Sequence, residues 1–186
     1  MAEKQDKAIA ANQYLTFTLA KELYAIDIAN VWEILDYTPV TKVPRTPEFL
    51  LGIINLRGRA VPVADLRLKF GLPKTERTVN TCIIITEVKF DGESTIMGAL
   101  ADSVQEVFEI DKQNIEPPPK IGTQINIEFI QGMGKQDERF IIILDVNKVF
   151  STEELNIVQD VGDAHTDQDQ TQAQENPQQT ETETAA

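Results

Sequence analysis

GIINLRGRAVPVADLR, residues Gly52 to Arg67, sets Arg57, Gly58 and Arg59 between two apolar runs. Ile53, Ile54 and Leu56 precede the turn and Val61, Val63 and Leu66 follow it, the pattern of paired strands that hold a turn rigidly toward solvent or a partner. Arg57 is therefore a candidate contact residue. Pro62 has no backbone donor, so its strand is predicted to lie at a sheet edge or to carry a bulge. Just upstream, Pro47 can open a short helical turn and Gly52 can close it. Just downstream, a second short helix is expected after Asp65, ended by Gly71 and Pro73.

Further out the chain is strand-rich. Leu15, Phe17 and Leu19 alternate with Tyr14, Thr16 and Thr18, the period of a half-buried strand, and Tyr24, Ile26 and Ile28 interleave with Ala25, Asp27 and Ala29. Lys21 and Glu22 form a polar turn that makes these two segments an antiparallel hairpin. Val31 to Leu35 lack a clean period, which suits a tight helical turn running into a third strand. Thr81 to Val88 reads as a fully buried strand, with Cys82, Ile83, Ile84 and Ile85 continuous rather than alternating, and Asp91 and Gly92 turn it into Thr95 to Ala101. Pro117 to Pro119 forbid helix and regular sheet, and strands resume at Asn126 to Ile130 and Arg139 to Val146, with Gly132 and Gly134 expected in the turn between them. Ser151 with Glu154 three residues on is a capping-box spacing, opening a last helix whose Leu155 and Val158 can face the core. Short strands separated by close turns, with no long helices alternating between them, indicate an all-β sandwich or barrel.

Composition narrows the function classes. The net charge of -13 disfavours nucleic acid and acidic membrane surfaces, both of which reward clustered Lys and Arg. Residues 159–186 hold seven acids and no Lys or Arg, giving -7 and leaving -6 for residues 1–158. This tail has few apolar groups to offset the entropy of ordering and is predicted to be disordered; solubility is its simpler role, a tether or partner lure the sharper one. No apolar run is long enough to span a bilayer, the first residues lack a secretory hydrophobic segment, and Cys82 is the single cysteine, so a cytoplasmic protein without disulfides is expected. Catalysis finds no constellation. His165, the only histidine, lies in the acidic tail, Cys82 sits in an apolar strand, and the glycines of GMGKQDER lack a phosphate-loop ending. Asp65, Asp102 and Glu33 could bind a metal only if the fold converged them; capping or solvated roles suit them better, and no metal or cofactor is expected.

NLRG followed by VPVADLRLKF resembles the signature of the CheW family, the adaptors that couple chemoreceptors to the histidine kinase CheA in bacterial chemotaxis. The resemblance runs from about Tyr14 to Leu155, through YLTFTLAKELYAIDIANVWEIL, GALADSVQEVFEI and FIQGMGKQDERFIIILDVNKVF. It implies two intertwined five-stranded SH3-like β-barrels with short helices and a C-terminal helix. The expected layout is a flexible segment at 1–12, the CheW-like domain at 13–158 and the disordered tail at 159–186. Within the domain, one barrel is expected at about 20–88, the other from 13–19 plus 89–144, and a helical segment at 145–158.

The same resemblance implies a non-catalytic adaptor with two partner surfaces, one for the cytoplasmic hairpin tip of a chemoreceptor and one for the regulatory domain of CheA. Glu33 in VWEIL and Arg57 in NLRG carry over as polar determinants of receptor coupling, with Val31 and Gly58 beside them. Either charge can instead serve the scaffold, through a bidentate pair that holds the groove open. Val31 and Val104 are the apolar candidates for a groove that seats a helix, although valine is more commonly core. On the kinase side the turn from Val40 to Pro47 offers Val43 and Pro44. Two other readings are a coupling module of a non-flagellar pathway, serving type IV pili or second-messenger output, and a generic SH3-like peptide binder. The latter needs an aromatic-lined groove, and aromatics are only 6% of this chain.

Overall fold

In the computed structural model the described residues are 13–118, 127–158 and 160. Ten strands form two five-stranded sheets. Sheet A joins β1 (Gln13–Leu19), β2 (Glu22–Asp27), β8 (Ser103–Glu109), β9 (Ile130–Gln136) and β10 (Arg139–Leu144) in the order β8-β1-β2-β10-β9. Sheet B joins β3 (Val31–Asp36), β4 (Leu50–Leu56), β5 (Arg59–Asp65), β6 (Cys82–Phe90) and β7 (Glu93–Ala101) in the order β3-β6-β7-β5-β4. Along the described residues the path runs first through sheet A, completes sheet B and returns to sheet A. A short helix α1 (Leu66–Lys69) follows β5, and a second, α2, covers residues 152–158.

The two sheets are built alike. In each, two hairpins meet through one parallel pair, β2 with β10 and β5 with β7. In each, the segment after one edge strand bridges to the opposite edge, Thr41 to Ile53 in sheet B and Glu116 to Met133 in sheet A. Phe49, Gly52, Ile53, Asp65 and Phe70 recur eighty residues later as Phe129, Gly132, Met133, Asp145 and Phe150. The backbone repeats with them, since Asp65 N–H donates to Phe49 O at 2.7 Å and Asp145 N–H to Phe129 O at 2.8 Å. Asp65 then caps α1, and Asp145 caps the 3-10 turn Val146–Lys148, each carboxylate accepting from the backbone N–H two residues on.

Alternation sorts the apolar residues into three cores. Tyr14, Leu23, Ala25, Ile141 and Ile143 fill the inside of sheet A, and Val61, Val63, Ile83, Ile85 and Leu100 the inside of sheet B. The other faces of the same strands, with Leu15, Phe17, Leu19, Tyr24, Ile26, Ile84 and Leu144, pack sheet against sheet. Phe17, Tyr24, Phe70 and Phe129 stack in a row through this middle core, with centroids 5.9, 5.9 and 4.9 Å apart. Such contacts contribute about 1 kcal/mol each beyond burial. β1 is thus buried on both faces from Tyr14 to Phe17, where alternation predicted a half-buried strand. Its polar face is only Thr16 and Thr18, and Thr16 is satisfied by its hydroxyl donating to Glu106 O at 2.7 Å.

Several expectations about local structure need correction. The partition of strands between barrels differs from the layout above: β2 lies with β1 in sheet A, and β7 lies with β6 in sheet B. The reason is that each pair is a tight hairpin, turned at Ala20–Lys21 and Asp91–Gly92 with positive φ at all four residues, which keeps its strands adjacent. Gly52 does not close a helix. It lies within β4 at φ +139° beside a register shift, and a Cβ there would sit 1.9 Å from Thr41 O. Gly132 and Gly134 lie in β9, where a Cβ on Gly132 would sit 2.4 Å from the Ile115 side chain; the turn falls instead at Asp137, φ 53°. β9 starts at Ile130, later than expected, because residues 128–129 turn before it; Asn126 lies outside the described residues. β5 is internal, yet its pairing with β7 starts only at Val63, so Pro62 has a ladder partner on the β4 side alone. The expected segments 1–12 and 159–186 lie outside the described residues, except Asp160.

Candidate interaction surface

Arg57 and Gly58 occupy the β4–β5 turn with φ of 53° and 85°. That pair of left-handed residues makes the two-residue turn whose twist matches its strands, and Asn55 Oδ1 locks it by accepting from Gly58 N–H at 2.8 Å. Across from it runs β3, an edge strand. Its odd positions Val31, Glu33 and Leu35 are half-buried while Trp32 and Ile34 are exposed, 54% and 44%. A register shift between Val31 and Glu33 leaves Trp32 out of the ladder with β6.

Turn and edge strand meet through one ion pair. Arg57 Nη2 lies 3.1 Å from Glu33 Oε2, with the arginine side chain 80% exposed and the glutamate 26%. The scaffold pairing therefore exists in the free chain. An exposed pair of this kind contributes only about 0–1 kcal/mol, so it orients Arg57 more than it stabilises the fold. Most of the guanidinium still faces solvent and remains able to donate to a second carboxylate or carbonyl.

The other candidates are distributed more widely. Val31 and Val104 are half-buried and both pack against the middle core, from the edge strands β3 and β8 of opposite sheets, so each borders the seam between the sheets. Val43 and Pro44 lie in the loop from β3 to β4, Val43 half-buried and Pro44 exposed, with Thr46 Oγ1 donating to Val43 O at 3.0 Å. Among the described residues no hydrogen bond or ion pair joins this loop to Glu33 or Arg57.

The polar groups considered for chemistry are committed to structure. Asp65 caps α1; Asp102 accepts from Arg67 at 2.6 Å and from Ala20 N–H at 2.8 Å; Glu33 holds Arg57. Cys82 is buried, and burial pushes its thiol pKa up, the opposite of an activated nucleophile. His165 lies outside the described residues.

Two ties that spacing could not reveal join the parts. The Arg67–Asp102 pair connects α1 to the β1–β2 turn through Ala20, and Lys69 lies 2.6 Å from Glu154, tying α1 to α2. The exposed Trp32 and Ile34 also escaped the sequence reading. Their signal was the i, i+2 spacing within VWEIL, obscured because Val31 and Leu35 are apolar too.

Comparison with known proteins bears directly on this arrangement. The sequence model of the CheW-like domain matches residues 13–154. The chain belongs to the CheW-like family. Chemotaxis protein CheW of Klebsiella aerogenes is 35% identical over 153 residues, covering 82% of this chain and 90% of that protein. Chemotaxis protein CheW of Thermotoga maritima is 30% identical over 157 residues, covering 83% and 96%. The crystal structure of the scaffolding protein TtCheW from Thermoanaerobacter tengcongensis superposes with a TM-score of 0.68 at 40% identity, covering 77% of this chain and 95% of that one. CheW-like membership makes the chain a chemotaxis coupling adaptor on an all-β scaffold of two five-stranded sheets. No helix among the described residues is long and apolar enough to cross a membrane.

Proposed function

We propose that this adaptor couples chemoreceptors to the histidine kinase CheA without turning over a substrate, as a cytoplasmic protein recruited to membrane-associated receptor arrays through its partners. The carrying observation is the Glu33–Arg57 pair, which holds a largely exposed guanidinium on a rigid turn beside the apolar edge strand β3. A receptor hairpin tip is helical, and an amphipathic helix binds by resting its apolar face in a groove while charges at the rim fix its register. In this reading Val31 and Val104 line the groove, Gly58 lets the turn approach closely, and Glu33 and Arg57 set the register. Val43 and Pro44 meet the regulatory domain of the kinase. No nucleic acid, cofactor, metal or direct insertion into the bilayer enters the reading.

Signal then passes as geometry. An adaptor that holds receptor and kinase together shifts the kinase only by its differential affinity for the kinase's two states, so fixed orientation of the two surfaces matters more than tight binding at either. The test is Arg57→Glu in a reconstituted mixture of receptor fragment, kinase and adaptor. Receptor-dependent kinase stimulation is expected to fall while circular dichroism stays native, and undiminished stimulation would count against the assigned role.

A further inference from the structure

The charge of the chain is segregated along its length. Residues 42–77 contain eight Lys and Arg against three acids, net +5, whereas residues 13–41 with 78–158 total -11 and residues 159–186 carry -7. Sheet B gathers part of the positive stretch around a cavity of about 160 Å³. The partly and fully buried Val40, Leu51 and Leu100 line it from within, and the exposed Lys42, Lys74 and Arg77 line its mouth. Arg77 is held in place by its guanidinium lying 3.9 Å over the Tyr37 ring.

The carboxylates on this lining do not neutralise the mouth. Asp102 is paired with Arg67, and Asp65 is buried against the α1 backbone, so Lys42, Lys74 and Arg77 outnumber Asp65 and Glu76 and the lining keeps a net charge of +1. Among the described residues Lys42, Lys74 and Arg77 have no acidic partner at ion-pair distance. We propose that the acidic C-terminal segment, residues 161–186, docks back on this cationic mouth and holds Lys42, Lys74 and Arg77 in a salt-sensitive intramolecular contact.

Three observations favour this occupant. The segment carries six acids and no Lys or Arg, and outside residues 42–77 no long stretch of the chain carries net positive charge, residues 13–41 with 78–158 totalling -11. Its root is close: α2 is anchored by Glu154 to Lys69 of α1, the same four-residue helix that contributes Arg67 to the cavity. Its length suffices, because a coil of 26 residues spans about 28 Å root mean square, against a radius of gyration of about 14 Å for a domain of this size. Tethering also raises the local concentration of the segment to the millimolar range, which lets individually weak charge contacts accumulate. An anionic partner approaching this mouth has to displace the segment first.

The contact stands or falls on the isolated 186-residue chain, without receptor or kinase, so its outcome is separate from that of the coupling reading. Amide NMR spectra of the native chain are compared with those of a variant of the same length in which the six acids of residues 161–186 become Asn or Gln. At about 20 mM salt the amides of Lys42, Lys74, Thr75 and Arg77 are expected to differ between the two, and to converge near 500 mM, where the screening length falls below about 5 Å. Adding Lys42→Gln, Lys74→Gln and Arg77→Gln is expected to abolish the remaining low-salt differences in this region. The shifts are expected to be independent of protein concentration. Identical low-salt spectra, differences confined to another face, or differences that grow with protein concentration would each overturn the proposal, the last by pointing to a second copy of the chain.

Discussion

Arg57 shows how one residue can have two roles without conflict. Its positive φ and its ion pair to Glu33 serve the fold, and its exposed guanidinium is the group left for the partner contact proposed above. Arg57→Glu is expected to leave stability within about 1 kcal/mol of the native protein, read as a small change in denaturant midpoint, while weakening coupling. Exchanging the charges in the Glu33→Arg, Arg57→Glu double variant separates the roles: restored coupling assigns the pair to scaffold geometry, and coupling lost in all three variants assigns both groups to partner contact. Two glycines make a sharper structural comparison. Gly52→Ala places a methyl group 1.9 Å from Thr41 O at φ +139°, and we expect a loss of about 2 kcal/mol or more by urea denaturation. Gly58→Ala meets open space at φ +85° and is expected to cost about 1 kcal/mol. Both turn glycine and arginine could be read in NLRG, because a two-residue turn has a local signature. The role of Gly52 could not, because the atom that excludes a side chain comes from a segment eleven residues earlier that crosses to β4.

At the scale of elements, hairpins and caps were legible while sheet membership was not. Ser151 and Glu154 form the reciprocal cap their spacing predicted, Ser151 N–H donating to Glu154 Oε2 at 2.7 Å and Glu154 N–H to Ser151 Oγ at 3.3 Å. Ser151→Ala is expected to cost about 1 kcal/mol, measured by thermal or chemical melting. Glu154 does more than cap, since the same carboxylate holds Lys69, whose ammonium also lies 4.9 Å from the Phe49 ring centre. Glu154→Gln is therefore expected to destabilise more than Ser151→Ala, and equal or reversed losses would show that the tie to α1 contributes little. What the residue pattern withheld was the eighty-residue repeat of Phe49, Gly52 and Asp65 in Phe129, Gly132 and Asp145. Those positions are conspicuous only once the backbone shows that each aspartate N–H returns to its phenylalanine carbonyl. The β2 and β7 misplacements arose for a related reason, because apolar alternation marks the faces of a strand but not its neighbours.

Across the whole molecule, two small sheets are held in one orientation by a shared apolar middle and by α1, which contacts sheet A through Arg67 and Asp102 and the C-terminal helix through Lys69. Burial raises the pKa of Tyr14, Tyr24 and Cys82, so each remains protonated in the fold at a pH where the unfolded chain ionises. Their contribution to stability is complete below the unfolded values, about 8.5 for Cys and 10 for Tyr, and is lost as pH rises through that range toward the raised folded values. The melting temperature is accordingly expected to fall from pH 8 to pH 11, and the Cys82→Ala variant to lose less of it between pH 8 and 9.5; a flat profile would contradict the assignment. The central claim is that the molecule acts by holding two partners in fixed relation. Kinase autophosphorylation should be measured with receptor fragment and CheA, with and without this protein. A receptor-dependent rise that requires the adaptor, and is lost with Arg57→Glu, is the predicted result; kinase activity indifferent to its presence would contradict the account.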